Sequence, residues 1–518
     1  MDCLLLHVPK FRHGYGPYGK ATFINFMASG LLSLATAVRR AGYQVRVVHV
    51  GLERLLSPDF RLEPMLQRER PSVVGVSVHW HHQVPDSLDV VRSVRRELPD
   101  AFVVLGGLTA SAYAEEILLT CPEVDGVVCG EGEIPLVRLL EARGAGRSPQ
   151  GVPNLSYRDG GRVVRPSTWW HATDDEFQAL EFADFSLLEN AAAYPRLYPF
   201  MLPPERVRLN RLLFEMKRTA GFHVPLGRGC FRRCAWCGGG ADATVGLLRR
   251  ERSALTSPEA AVATLERALA FGYRTVATDH WFHGMEGFLS DVLTLCRKRG
   301  LAPRWNLDAW ELPSLEFCEE FAATAGAGST IEFSPDMGSQ RLRERYKAFR
   351  FGNDELLAWI DAVGARGLNV GLHFLYGLPS GPEDDLEEKR LLERLERRSN
   401  VCRIQFHACE IEPMSPMLLR PEEHGIEPLV KSFSDYARAH RGGFRMGFSH
   451  SGLSEAELHA GRCRSYCLLG RNGRMKCRML RLATGFRALD PLVHAAGRLI
   501  WRGGGDRALL DSLSPGAR

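Results

Sequence analysis

Three cysteines lie close together in one stretch of the chain that glycines bound on both sides. Cys230 and Cys234 are separated by three residues, and Cys234 and Cys237 by two. Cysteine thiolates are the usual protein ligands of iron–sulfur clusters. A cubane of four irons held by three thiolates keeps one iron without a protein ligand, and a small chelating molecule can bind there. The spacing therefore predicts a 4Fe-4S cluster with one open iron.

Other interpretations of the same cysteines stay open. A structural zinc site would need a fourth ligand, and only His223 is nearby in the sequence. Cys234 and Cys237 also have the spacing of a redox pair, which would leave Cys230 unexplained. Three structural cysteines placed together by accident are the least favoured interpretation. The cluster explains all three residues at once.

The elements before these cysteines alternate between strand and helix patterns. Short apolar runs are separated by helical stretches over residues 1–145, which predicts parallel strands covered on both faces. The apolar runs are 3–9, 44–50, 72–78, 101–107 and 124–130, and the helical stretches are near 27–41, 86–97, 112–119 and 134–143. Five strands in this order predict an α/β domain with an open, doubly wound, Rossmann-like sheet. Ligands of such sheets bind beyond the carboxyl ends of the strands.

A second alternation follows a connector at 146–215, in which Asp159-Gly160-Gly161 predicts a short hairpin. Residues 216–426 contain six strand–helix repeats, which predict a partial (β/α)6 barrel. The cysteine loop follows the first strand of that barrel. It should therefore lie at the strand carboxyl ends, where such barrels place their active sites.

Residues 427–518 predict a small, mostly helical region rich in arginine. It contains Cys463, Cys467 and Cys477, which could hold a metal or an auxiliary cluster, or could be free thiols in a basic surface. The basic residues around them could also contact an anionic substrate. The sequence does not choose between these interpretations.

The overall composition does not indicate nucleic-acid or membrane binding. The chain has 518 residues, which suggests two or three domains, and a formal net charge of only +5. No run approaches the ~20 apolar residues that cross a bilayer, and the N-terminal apolar run has the pattern of a first strand, not of a signal peptide. The chain has 13 cysteines, an odd number, and they are scattered along it, so a disulfide framework is not expected. We therefore expect a cytoplasmic protein.

The cysteine spacing, with Trp236 just before the third cysteine, closely resembles the radical S-adenosylmethionine superfamily. The segments 331–349, 375–386 and 410–417 resemble the loops that bind the cofactor in that family, although the usual Gly-Gly-Glu after the second strand is absent. Each of these segments could instead be an ordinary barrel loop. The resemblance implies contacts with S-adenosylmethionine from Trp236, Gly238, Gly239, Asp279, Glu332, Ser334, Arg343 and Glu410.

The first domain resembles the cobalamin-binding domain that precedes many radical S-adenosylmethionine enzymes. The resemblance rests on the segments 73–78, 103–111 and 125–133. It implies cobalamin contacts from Ser77, His79, Trp80, His81, His82, Gly106, Gly107, Leu108, Gly130, Glu131, Gly132 and Glu133. The Asp-x-His-x-x-Gly motif of base-off domains is absent. His79, His81 or His82 could still ligate cobalt, but a polar loop facing solvent is the favoured interpretation.

One rival within the superfamily, the methylthiotransferases, places a second cluster on N-terminal cysteines. Cys3, Cys121 and Cys129 do not have that spacing, so we do not favour it.

Together the two resemblances imply a cobalamin-dependent radical S-adenosylmethionine methyltransferase of the methylase type (class B). In such an enzyme a 5′-deoxyadenosyl radical activates a substrate carbon and methylcobalamin supplies the methyl group. The implied partners are a small-molecule or peptide substrate, such as a natural product, and an electron donor of flavodoxin or ferredoxin type. Two alternatives remain: an enzyme with the same cofactors that transfers no methyl group, and a cobalamin-binding regulatory or metal-stapled interaction protein.

Overall fold

Two parallel sheets organise the part of the chain that the computed structural model describes. The described residues are 1–9, 29–57, 59–196, 221–278, 281, 284–441 and 446–450, with the backbone of 23–24 and 200–201. The strands are β1 (Cys3–His7), β2 (Phe23–Ile24), β3 (Val45–His49), β4 (Val73–Ser77), β5 (Phe102–Gly106), β6 (Gly126–Val128), β7 (Leu155–Asp159), β8 (Arg162–Val164), β9 (Phe200–Met201), β10 (Gly221–Val224), β11 (Gly227–Arg228), β12 (Ala254–Leu255), β13 (Thr275–Thr278), β14 (Arg304–Ala309), β15 (Thr330–Asp336), β16 (Asn369–Tyr376), β17 (Val401–Ala408), β18 (Glu427–Pro428) and β19 (Phe448–Ser449).

Helices connect these strands. The α-helices are Ser29–Arg40, Val50–Leu56, Glu63–Glu69, Val84–Glu97, Leu108–Ala112, Ala114–Thr120, Glu133–Gly144, Asp174–Gln178, Ala241–Gly246, Pro258–Phe271, Met285–Lys298, Leu315–Thr324, Gln340–Lys347, Asn353–Ala365, Pro382–Leu395, Pro416–Leu419, Pro421–His424 and Phe433–Arg441, and the 3-10 helices are His81–Gln83, Phe185–Leu187 and Ala191–Arg196. None of the described helices is long and apolar enough to cross a membrane.

The first sheet confirms the predicted doubly wound domain. Its parallel strands have the order β3-β1-β4-β5-β6, as in sheets whose ligands lie at the carboxyl ends of the strands. Successive side chains of β1 enter opposite layers, because Cys3 and Leu5 join one apolar cluster while Leu4 and Leu6 join another. Burial on both faces explains why these strands are continuous apolar runs.

The predicted hairpin extends this sheet. Strand β7 pairs antiparallel with β6, and β8 pairs antiparallel with β7. The sheet therefore continues to Val164, beyond the boundary that we placed at residue 145. The turn between the two strands contains Gly160 and Gly161, both with positive φ.

The second sheet confirms the predicted partial barrel. Its six strands run in chain order, β10-β13-β14-β15-β16-β17, and every neighbouring pair is parallel. Among the described residues, β17 does not pair with β10, so the barrel is open on one side. Side chains such as Phe222, Leu307 and Phe374 point outward into the helix layer.

The two sheets share an apolar core, and the connector helps to join them. Phe185 stacks on Phe271 with ring centroids 4.2 Å apart and meets Phe222 edge-on at 5.8 Å. The next residues of the connector reach the first sheet, where Leu188 bridges to Val47. Both domains are thus packed around the same connector segment.

The described part of the predicted C-terminal region returns to the first domain. Phe433 joins an apolar cluster of that domain. The carboxylate of Glu116 accepts hydrogen bonds from the backbone N–H groups of Phe433 and Ser434, at 2.8 and 2.9 Å. A carboxylate in this position stabilises the N-terminus of the helix Phe433–Arg441. Cys463, Cys467 and Cys477 lie outside the described residues.

Candidate functional site

The cysteine loop is fixed by hydrogen bonds to the barrel. The Thr244 hydroxyl accepts from the Cys230 N–H (2.8 Å) and donates to the Cys230 carbonyl (2.9 Å). The Ala235 N–H donates to the Tyr346 carbonyl, and the Ala235 carbonyl accepts from the Met417 N–H, each at 2.8 Å. The protein itself therefore sets the loop conformation.

The three thiols of this loop are half-buried and form no disulfide. Burial raises the pKa of Cys230, raises that of Cys234 to about 11 and raises that of Cys237 well above its ordinary value. The charges of Arg232 and Lys347 act in the opposite direction on Cys234. Thiols in such surroundings stay protonated until a metal displaces the proton, so metal binding releases protons.

Gly238, predicted to contact S-adenosylmethionine, also leaves room for a close approach of the protein backbone. A β-carbon at this position would lie 2.2 Å from the Pro413 carbonyl oxygen. The Gly238 N–H also donates to Oε2 of Glu412 at 2.6 Å, and burial raises the pKa of that carboxyl. The segment after β17 therefore closes over the cysteine loop.

Gly239 faces the first domain. A β-carbon on Gly239 would lie 3.7 Å from Cδ1 of Leu108, which begins the helix after β5, and 3.9 Å from the sulfur of Cys237. The carboxyl edge of the first sheet thus lies next to the cysteine loop of the barrel. This arrangement brings two independently predicted sites together.

The loop after β4 is held in shape by Gln83. Its side-chain oxygen accepts from the N–H groups of His79 (3.1 Å) and Trp80 (3.0 Å), and its amide donates to the Val8 carbonyl at 3.0 Å. His79 keeps an exposed surface, although the surrounding protein lowers its pKa to about 4. An imidazole that is exposed to solvent and yet surrounded by protein atoms is typical of a side chain that lines a recess. With this lowered pKa, the His79 imidazole would be neutral at pH 7.

Neighbouring strand ends complete this edge. Ser77, at the end of β4, is half-buried and pairs in register with Gly106, at the end of β5. Gly107 follows with φ +106°, and a β-carbon there would lie 2.8 Å from the His79 backbone. Gly107 therefore has to be glycine for both reasons. At Gly106, by contrast, a β-carbon would meet no atom nearer than the Val128 carbonyl oxygen at 3.9 Å.

His81 connects this loop to the barrel. Its Nε2 lies 2.7 Å from Oε2 of Glu410, just after β17, and their side chains are 4% and 18% exposed. The two residues were predicted for different cofactors, yet they contact each other across the domain interface. Trp80 and His82 are half-buried beside them, with rings stacked at 5.8 Å.

The predicted cobalamin contacts Glu131 and Glu133 form buried ion pairs with arginines of the cysteine-containing domain. Both carboxylates accept from Arg228, at 2.7 and 2.8 Å, and Glu131 also accepts from Arg250 at 2.5 Å. Their side chains are only 1% and 3% exposed, so they offer almost no surface to a cofactor.

The glycines of the same turn allow close packing against neighbouring segments. At Gly130, with φ +76°, a β-carbon would lie 2.8 Å from the Leu247 carbonyl oxygen of the barrel. At Gly132 it would lie 3.0 Å from Leu34, on the helix Ser29–Arg40. Residues 130–133 therefore dock the sheet on the barrel.

Arg343, predicted to contact S-adenosylmethionine, is held by hydrogen bonds inside the protein. Its side chain is fully buried, and its guanidinium donates to the Met337 carbonyl (2.8 Å) and to Oδ1 of Asn353 (2.7 Å). Burial lowers its pKa to about 10. Asp279 lies outside the described residues, and Trp236 is half-buried against the apolar cluster around Met337.

Glu332 and Ser334 lie on the inner side of β15, facing a polar barrel lumen. Burial opposes ionisation of Glu332, but the hydrogen bond with His373 (3.1 Å) and the charge of Arg403 hold its pKa below the ordinary value. His373 also lies 3.1 Å from His407. A β-carbon at Gly371 would overlap Glu332, so this glycine gives the carboxylate its space.

The comparisons with known proteins follow this geometry. A family model of the B12 binding domain matches residues 26–140. The radical S-adenosylmethionine methyltransferase TsrM from Kitasatospora setae, solved with cobalamin and a 4Fe-4S cluster, has 18% identity and a TM-score of 0.64, over 99% of this chain and 97% of that chain. The cobalamin-dependent S-adenosylmethionine radical enzyme OxsB has 13% identity and a TM-score of 0.61, over 99% and 74% of the two chains. This chain has the fold of the cobalamin-dependent radical S-adenosylmethionine enzymes.

Two curated proteins are similar in sequence. An uncharacterised methyltransferase of Pyrococcus horikoshii is 24% identical over 378 residues, which cover 69% of this chain and 71% of the relative. A hopanoid C-3 methylase of Methylococcus capsulatus is 31% identical over 134 residues, 26% of this chain and 25% of the relative. Both of these relatives are named as methyl-transferring enzymes.

The residues of this B12-binding domain and barrel fit the cofactors of the fold. Three half-exposed thiols free of disulfides suit a cluster with one open iron. The open space at Gly106 and the exposed imidazole of His79 suit a large flat ligand at the carboxyl edge of the sheet. The individual contacts with S-adenosylmethionine and cobalamin stay predictions.

Sequence reasoning missed four residues that shape the site, namely Gln83, Arg228, Arg250 and Glu412. The partners of Arg228, Arg250 and Glu412 are distant in the chain, so spacing carries no signal for them. Gln83 bonds to the nearby His79 and Trp80 and also to the distant Val8. One local signal existed for Arg228, which directly precedes the Gly229-Cys230 turn of the cysteine motif.

Proposed function

We propose that this chain is a cobalamin-dependent radical S-adenosylmethionine methyltransferase that methylates an unactivated carbon of a natural product or peptide. One observation carries the proposal: Leu108, at the carboxyl edge of the B12-binding domain, lies beside Gly239 of the cysteine loop, so that a β-carbon on Gly239 would be 3.7 Å from its Cδ1. Two cofactors bound at these places would face each other across a short distance. Their alignment is the main contribution that such a protein makes to the rate.

The chain's own residues hold the cluster and cover the cysteine loop in this proposal. Cys230, Cys234 and Cys237 hold the cluster and leave one iron open for S-adenosylmethionine. When bound, the cluster supplies one electron for cleavage of S-adenosylmethionine, and cobalamin supplies a carrier for a methyl group. Glu412 and Gly238 close the segment after β17 over the cysteine loop, which excludes water from the loop on that side.

The polar lumen is the proposed substrate site. Glu332, His373, Arg403 and His407 line it with hydrogen-bonding groups of both kinds. Radical chemistry needs the substrate carbon held close to the cleaved cofactor, and a lumen that opens at the strand ends beside the cysteine loop supplies such a place. A small-molecule substrate is proposed by analogy, since TsrM was solved with tryptophan as substrate. A reduced flavodoxin or ferredoxin is the proposed electron donor.

The test uses the anaerobically reconstituted full chain with cobalamin, a chemical reductant and methyl-labelled S-adenosylmethionine. We expect 5′-deoxyadenosine and label on the bound cobalamin. The Cys234→Ala variant should yield no 5′-deoxyadenosine. A Cys402→Ala variant, which removes an exposed cysteine of β17, is the matched control and should retain it.

Each other outcome has a defined meaning. 5′-Deoxyadenosine without label on cobalamin would contradict methyl transfer and favour an enzyme that uses both cofactors in another reaction. Cobalamin binding with no cleavage of S-adenosylmethionine would favour the regulatory alternative. Cleavage by Cys234→Ala at the normal rate would refute the cluster assignment.

A further inference from the structure

One group of metal-ligand side chains lies outside the cysteine loop. Within the described residues, His81, His82 and Glu410 are the group of histidine, cysteine and carboxylate side chains whose ligand atoms all lie within 4.8 Å of one another. Two imidazoles come from the B12-binding domain and the carboxylate comes from the segment after β17. The group therefore spans the domain interface.

The two imidazoles are held in place by packing. The His81 ring lies 5.0 Å from the Tyr436 ring, and the His82 ring stacks on Trp80 at 5.8 Å with 15° between the planes. Their short helix is fixed by Gln83, whose side chain bonds to His79, Trp80 and Val8. Ligands locked by packing and by secondary hydrogen bonds need little reorganisation to bind an ion.

The local charge favours a cation. Glu412 is buried close enough to interact electrostatically with both His81 and Glu410. Two carboxylates thus lie beside two imidazoles in a region that is largely shielded from solvent. A cation bound at this point would have both carboxylates beside it.

We propose that His81, His82 and Glu410 bind a divalent transition-metal ion, of which Zn²⁺ is the representative, and that this ion connects the two domains. Two histidines and one carboxylate form a three-ligand set that zinc uses in proteins, with a fourth position open to water or to a ligand. The His81–Glu410 contact at 2.7 Å already joins the two domains, and the ion would take over that connection. The proposal does not depend on methyl transfer.

The test measures metals in the full chain after the cluster has been reconstituted, so that the three cluster thiols are occupied. Each protein is equilibrated with excess zinc sulfate and desalted, and zinc, iron and cobalt per chain are measured by mass spectrometry. We expect His82→Ala and Glu410→Gln to retain about one zinc per chain fewer than the wild type, with equal iron. His171→Ala, which removes an exposed histidine outside the group, is the matched control and should match the wild type.

A second measurement, of thermal stability with and without zinc, distinguishes a variant that has lost zinc binding from one that folds poorly. Zinc should raise the thermal midpoint of the wild type and of His171→Ala, because a ligand that binds only the native state stabilises it. The shift should be absent in His82→Ala, which keeps the His81–Glu410 contact. Equal zinc and equal thermal shifts in all four proteins would overturn the proposal. If His82→Ala, loaded with cobalamin, lost cobalt but kept zinc, the proposal would be overturned too, since His82 would then bind cobalamin and not zinc.

Discussion

Gly238 is the residue whose substitution should show most directly how the cysteine loop is built. In Gly238→Ala the new methyl group would lie 2.2 Å from the Pro413 carbonyl oxygen, so the loop or the covering segment must move. Overpacking of this kind costs about 1–3 kcal/mol. We expect iron per chain after reconstitution to fall several-fold, measured by iron analysis and by absorbance of the cluster.

The neighbouring glycine provides the control. In Gly239→Ala the methyl group would meet no atom closer than 3.7 Å, which is ordinary contact. This variant should retain iron near the wild-type level. Equal loss of iron in both variants would show that the loop needs flexibility at both positions and that the contact with Pro413 is not the cause.

A second pair of glycines tests where cobalamin binds. Gly106→Ala fits the protein, because the nearest atom to the new methyl group is 3.9 Å away. A lower cobalamin affinity in this variant, with an unchanged thermal midpoint, would therefore report contact between the cofactor and that strand end. We expect at least a several-fold weaker affinity, measured by cobalamin absorbance after gel filtration.

Gly107→Ala is the contrasting variant. Its φ of +106° and the 2.8 Å approach to His79 mean that the substitution strains the protein with or without cofactor. Strain of this kind costs about 1–3 kcal/mol, so the thermal midpoint should fall. Normal cobalamin affinity in Gly106→Ala would contradict the predicted contact at that strand end.

At the scale of elements, one interdomain connection is the ion-pair cluster that joins the turn after β6 to β11. Arg228→Met would leave Glu133 buried without its main counter-charge. Removing one partner of a buried pair costs about 3–5 kcal/mol. We expect a clearly lower midpoint of chemical unfolding. Lower iron content is also expected, because Arg228 directly precedes the cysteine loop.

An exposed arginine serves as the control for charge alone. Arg252 pairs with Asp174 while 75% of its side chain is exposed. Exposed pairs contribute about 0–1 kcal/mol, so Arg252→Met should leave the midpoint almost unchanged. An equal decrease of the unfolding midpoint in both variants would mean that burial of the Arg228 ion pairs does not add to stability.

The same cluster shows which elements the sequence could predict. The strands of both sheets were predictable because apolar runs and helical periods are local patterns. The cysteine site was predictable because its three ligands lie within eight consecutive residues. The ion pairs of Glu131 and Glu133 could not be predicted, because their partners Arg228 and Arg250 lie about a hundred residues away in the chain. The burial of Arg343 could not be predicted either, since only tertiary packing decides whether a charged side chain is buried.

For the whole molecule, the buried carboxylates predict how stability depends on pH. Burial raises the pKa of Glu133, but the charge and hydrogen bonds of Arg228 outweigh it and hold the pKa below its ordinary value. An unfolded glutamate titrates near 4.3, so this contribution to stability is present above that pH. It is lost as the pH falls through the lower native value.

Arg228→Met should change the sign of this dependence. Without the arginine, burial alone would raise the pKa of Glu133, and the native state would then gain from protonation. The difference in thermal midpoint between variant and wild type should shrink as the pH falls from 8 to 4. A difference that stays constant over this range would show that Glu133 does not respond to Arg228.

The hairpin that ends the first sheet has a practical use. Because β7 runs antiparallel to β6, with Leu155 opposite Val128 and Tyr157 opposite Gly126, the turn at Asp159–Arg162 points away from the cofactor edge. Gly160 and Gly161 are exposed there. A peptide tag or dye inserted at this turn would anchor the protein to a surface or an electrode with both cofactor sites facing the solution. Electron delivery and substrate entry could then be followed on oriented molecules.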